Sequence, residues 1–91
     1  MRKYLTEHRK QKGLTQQYVA NALGVSRQYY QQIEAGQRQQ KLELFLASKL
    51  ASVFQLSLHE LLEQEADWAA LRDAVLRAHA PAATKAKEVT L

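Results

Sequence analysis

The stretch ALGVSRQYYQQIEAG, Ala22–Gly36, decides how the rest of the chain is read. Gly24 marks the end of one helix, because glycine enters a left-handed turn conformation that is unfavourable to residues with a Cβ. Ser26 is placed to cap the next helix, and Val25 before it meets Tyr30 as a hydrophobic staple. Turning about 100° per residue, Tyr30 and Ile33 fall on one side of this helix, while Arg27, Gln28, Gln31, Gln32 and Ala35 fall on the other. Tyr29 lies on the border, and Gly36 closes the helix. Soluble proteins usually place Lys and Glu on such an outward face, so a face of amides and a guanidinium requires an explanation.

Upstream, Thr15 caps a short helix that ends at Leu23, with Leu14 and Val19 as its staple. Ala20 sits where this helix would cross the next, and a larger side chain would push the two apart. Before it, residues 2–12 favour a helix that Gly13 ends. Downstream, Gln37 to Lys41 is a polar, basic connector without a good cap. Apolar residues then recur at 42, 45, 46, 50, 53 and 54 as a helical stripe. Ser57 and Glu60 form a capping box, and Leu56 and Leu61 a staple, at the start of a fifth helix. This helix continues: Leu61, Trp68 and Val75 repeat every seven residues with Gln64, Leu71 and Ala78 between them, a seam running to about His79. Pro81 halts it, and residues 81–91 read as a flexible tail. The expected architecture is all-α.

Ninety-one residues suit one small domain with a thin core. Cysteine is absent, which removes a disulfide framework and thiolate metal sites. The N-terminal MRKYLTEHRK has no apolar signal-like core and no apolar run is long enough for a membrane span, so a cytoplasmic, nucleoid-associated protein is expected. Charge is unevenly distributed. Residues 1–41 hold eight Lys/Arg against two acids, net +6, whereas residues 42–91 hold five against seven, net −2. The first half attracts a polyanion. Nine glutamines lie between positions 11 and 40, but the regular apolar spacing running through them argues against low complexity.

Two short helices joined by Gly-Val-Ser, with Ala20 four residues before Gly24 and Ile33 nine after it, resemble the helix-turn-helix of the Cro and phage-repressor type, the XRE family. LTQQYVANALGVSRQYYQQIEAGQR, residues 14–38, follows that pattern without a gap, and LHELL, residues 58–62, matches the fifth helix. The resemblance implies a five-helix, lambda-repressor-like DNA-binding domain over residues 1–62, with the helix-turn-helix at about 16–35. Residues 63–80 form an extended C-terminal helix outside it, available for dimerisation or for packing back on the core. The chain departs from the family in His8, where Leu is usual, in Tyr30, where a smaller aliphatic residue is usual, and in a Gly36–Ala51 link about two residues longer.

The third helix of this motif lies in the major groove with its N-terminal residues at base edges. Gln can bond adenine and Arg guanine bidentately, which accounts for the planar face. Arg27, Gln28 and Gln32 are the expected base readers, with Gln31 and Tyr29 next; Tyr29 is equally suited to the rim of the core. Gln16 matches the family residue that grips a phosphate at the start of helix two, where backbone N–H groups assist. Gln17, Arg38, Lys41 and Gln37 are further phosphate contacts, and Gln39 a weaker one. The resemblance also implies a structural pair between Arg9 and Glu34.

One short helix gives too little specificity against a genome of competing sites, so a homodimer on a palindromic operator is expected, acting as a repressor. Phe45, Leu58, Leu62, Trp68 and Leu71 are its interface candidates, each equally suited to the intramolecular core. The expected partners are double-stranded DNA, a second copy and a regulatory protein, with no membrane. The rival reading is a protein-interaction module, or an antitoxin-like protein using the same fold to bind a partner. Enzymatic function is not expected. His8, His59 and His79 are scattered, the acids from Glu60 to Asp67 read as one solvated helix face, and no metal or other cofactor is implied.

Overall fold

A computed structural model describes residues 1–78. Among them are five α-helices and no strand: α1 Lys3–Gln11, α2 Gln16–Leu23, α3 Arg27–Ala35, α4 Leu44–Phe54 and α5 Leu58–Ala78. The proposed tail at 81–91, and the end of the seam at His79, lie outside the described residues.

At α2, α3 and α5, hydroxyl side chains satisfy orphan backbone donors and set the helix starts. Thr15 Oγ1 accepts from the Tyr18 amide at 3.0 Å and Ser26 Oγ from the Tyr29 amide at 3.1 Å. At α5 the box is reciprocal: Ser57 Oγ accepts from the Glu60 amide at 3.0 Å, and Glu60 Oε1 from the Ser57 amide at 3.3 Å. Between α2 and α3, Gly24 has φ +74°, the left-handed turn that lets two helices meet with so few intervening residues.

α4 departs from the sequence expectation. It begins at Leu44, and Glu43, which is not a favoured capping residue, caps it by accepting from the Phe45 amide at 3.1 Å. The buried face is Leu46, Ala47, Leu50, Ala51 and Phe54, so Phe45 of the expected stripe points to solvent with Leu44. Ala47 and Ala51 complete the inward face of α4, which packs on α2 and α5. The rest of the expected stripe faces the core: Leu46, Leu50 and Phe54 are buried, and Leu42 and Val53 pack against them.

All five helices contribute to one core. Leu5, Ala20, Ile33, Leu50, Phe54 and Leu61 are almost fully buried, each large side chain among them contributing about 1.5–3 kcal/mol. α2 packs on α3 and α4, α4 on α5, and α1 on α3. His8 occupies the α1–α5 side: its ring stacks on Phe54 with centroids 5.9 Å apart, and Nε2 lies 2.8 Å from Gln64 Oε1. Tyr30 is fully buried, and burial, reinforced by the neighbouring Glu34 carboxylate, pushes its hydroxyl well above the usual phenol range, so the ring stays neutral.

α5 runs without interruption past residue 62, and its next turns fold back onto the N-terminal segment through Gln64, Glu65 and Trp68. Reading the acids of Glu60–Asp67 as one solvated face fails at Glu65, which is only 8% exposed. A carboxylate at such burial requires a partner, and the partner is Arg2.

Candidate nucleic-acid interface

α3 presents its N-terminal turn to solvent. Arg27, Gln28 and Gln31 are exposed, and their side chains make no hydrogen bond within the described residues. Their donors and acceptors are therefore available to a ligand. The opposite side of the helix is anchored by Tyr30, Ile33 and Glu34, all buried, which fixes the rotation of the exposed face.

Gln32 and Tyr29 are placed differently from the other three. Gln32 is half-buried and its Oε1 accepts from Arg38 Nε at 2.8 Å. Tyr29 is also half-buried; its hydroxyl accepts from Gln39 Nε2 at 2.9 Å, and the Arg38 guanidinium lies 5.6 Å from its ring. These four residues form one polar cluster at the C-terminal end of α3. Gln39, with φ +55°, is bound at both ends of its amide, because its Oε1 also accepts from the Glu43 amide at 3.0 Å.

The other phosphate candidates lie around the same face. Gln37, Arg38 and Lys41 are exposed on the α3–α4 connection. At the start of α2, Gln16 turns partly inward and donates from Nε2 to Glu34 Oε1 at 3.2 Å, while exposed Gln17 donates to Asn21 Oδ1 at 2.8 Å.

Arg9 and Glu34 are brought together. Arg9 Nε donates to Glu34 Oε2 at 2.7 Å and its NH1 group to the Leu14 carbonyl at 3.0 Å. Glu34 also accepts from Thr6 Oγ1 at 3.2 Å. Burial alone would raise the Glu34 carboxyl, but hydrogen bonds led by Arg9 outweigh it and hold the group below the usual carboxylate range.

Sequence reasoning missed Arg2. Its charge belongs to the basic first half, yet it is fully buried, with Nε donating to Glu65 Oε1 at 2.8 Å and NH2 to Glu65 Oε2 at 2.9 Å. Tyr4 joins them by donating to Glu65 Oε1 at 2.6 Å. No local spacing marks a pair 63 positions apart. With Arg2 and Arg9 both paired internally, the exposed cations of the first half are Lys3, Lys10, Lys12, Arg27, Arg38 and Lys41, and the last three belong to α3 and the connection after it.

The interface candidates divide into two groups. Phe45, Leu62 and Leu71 are exposed, Phe45 by 75% and Leu71 by 68%; Leu58 and Trp68 are half-buried against the chain's own core and N-terminal segment. Leu71 lines an open groove with Met1, Tyr4 and Trp68. No helix among the described residues is long and apolar enough to cross a membrane.

The helix-turn-helix family model matches residues 5–61, more than half of the chain, from within α1 to the first turn of α5. Among curated proteins and solved structures, the comparisons found no match. The capped α2, the left-handed turn at Gly24 and the exposed N-terminal face of α3 lie inside the matched span, and the chain belongs to the XRE-type helix-turn-helix family of DNA-binding transcriptional regulators.

Proposed function

We propose that this protein is a sequence-specific repressor that binds a palindromic operator as a homodimer, each copy inserting α3 into the major groove. The observation that carries the reading is the set Arg27, Gln28 and Gln31, exposed and without internal hydrogen bonds on a helix whose rotation is fixed by its buried side. Arg27 and Gln28 read bases bidentately. Gln31 reads a third position, and Gln32 and Tyr29 act where the groove approaches the polar cluster. Arg38, Lys41, Gln37, Gln17 and Gln16 hold phosphates and orient the helix.

Dimerisation doubles the reader and spaces the half-sites about one helical turn apart. The exposed Leu71 and Leu76 of α5, with Phe45 and Leu62, are the apolar groups available for a second copy. A small dimer covering an operator excludes polymerase without further machinery, which favours repression. The same α5 surface serves the second reading, a regulatory protein docked on the extension while α3 remains on DNA.

Selection of bound duplexes from a random library at physiological salt, followed by sequencing, tests this proposal. Enrichment of a palindrome supports it. Enrichment of a single half-site would remove the dimer, and recovery of unselected sequences would remove base reading.

A further inference from the structure

The Arg2 guanidinium has five N–H donors, and all five are engaged. Two reach Glu65, as described above. The NH1 group donates to the Ile33 carbonyl at 2.8 Å and the Arg38 carbonyl at 3.0 Å, and the NH2 group also donates to the Gln39 carbonyl. The Arg2 amide donates to the Glu34 carbonyl at 2.6 Å. Trp68 closes the arrangement, its ring centroid 4.3 Å from the guanidinium carbon. This one side chain therefore holds the end of α3, the first residues of the following connection and α5 together.

What it holds is the segment that carries Arg38. The connection leaves α3 through two left-handed residues, Gly36 at φ +78° and Gln39 at φ +55°. Such a path has no regular backbone ladder to define it, so the carbonyls must be fixed from outside. A planar guanidinium does this geometrically, since its donors point in set directions. Both sources of the clamp, Arg2 and the Glu65–Trp68 turn of α5, lie outside the span matched by the family model.

We infer that Arg2, buttressed by Glu65 and Trp68, is a positioning residue for DNA binding: it fixes the backbone at Arg38 and Gln39 so that the Arg38 side chain meets a phosphate. The inference rests on the DNA-binding role proposed for Arg38. It makes the distal part of α5 a component of the DNA-binding surface without touching DNA.

The test is a double-mutant cycle on the full chain with a mixed-sequence duplex, reading affinity against salt concentration. Arg2→Lys keeps the positive charge beside Glu65 but loses the fork that spans the carbonyls. Binding should weaken several-fold, and the slope of log affinity on log salt should become shallower by about 0.9 for each Arg38 that disengages. In an Arg38→Ala background, the same Arg2→Lys change should do nothing further to affinity or slope. A merely structural role would lower stability equally in both backgrounds without this cancellation. Losses that add in the double variant, or an unchanged slope in Arg2→Lys, overturn the inference. If Arg38→Ala alone binds the duplex normally, the phosphate role fails first and the inference falls with it. Should Arg2→Lys not fold, Glu65→Gln runs through the same cycle with the same criteria.

Discussion

Trp68 lies against the backbone of Gly36 so closely that a Cβ built on that glycine would come within 2.8 Å of the ring Cζ2. Gly36 is thus constrained twice, by its left-handed φ and by an indole contributed from α5. Changing it to alanine forces a left-handed non-glycine residue and displaces the ring. Gly36→Ala should cost at least about 1–3 kcal/mol in urea unfolding. Trp68 is the sole tryptophan, so its native fluorescence should shift as well. An unshifted spectrum with wild-type stability would contradict this contact.

The Arg9–Glu34 pair predicts both a mutational and a pH effect. Glu34→Ala leaves Arg9 without its carboxylate in a part-buried site, at a cost of about 3–5 kcal/mol. The folded Glu34 carboxyl titrates below its ordinary value of 4.5. Its stabilising contribution is therefore complete above about pH 4.5 and is lost as the pH falls through the lower, folded value. Denaturation curves from neutral to acid pH should show this loss in the wild type and a shallower one in Glu34→Gln; parallel curves would rule out the linkage.

Base reading and phosphate contact separate by substitution. Gln28→Ala should weaken the selected operator by about 1–3 kcal/mol while leaving mixed-sequence DNA nearly unaffected. Arg38→Ala should weaken both alike and flatten the salt dependence. Equal losses on both DNAs in the Gln28 variant would assign that residue to the backbone instead.

Dimerisation through α5 is best tested at Leu71, which is 68% exposed. Trp68 is a poorer choice, because its removal also strips the cover from Arg2. Leu71→Glu should convert a dimer to a monomer by light scattering, with thermal unfolding of the monomer changed by no more than about 0.5 kcal/mol. A mass that stays at the dimer value would move the interface away from this face.

The local elements of this protein were determined by its sequence. Thr15, Ser26 and Ser57 cap helices within three residues of themselves, Gly24 turns the chain where it stands, and the position of α3's apolar residues defines which side faces out. Such effects act over one or two turns of backbone, so nearby letters suffice to predict them. The long C-terminal helix was legible for the same reason. Tertiary structure alone decided the rest. It left Phe45 of α4 in solvent and set Ala47 and Ala51 among the buried residues. It drew Gln16 and Gln32 into internal hydrogen bonds with Glu34 and Arg38. It also took Arg2 and Glu65 from what looked like solvated charge into one buried ion pair. A charged side chain is worth burying only if a partner waits at the right distance and angle, and that partner can lie anywhere along the chain, so only the folded arrangement reveals it.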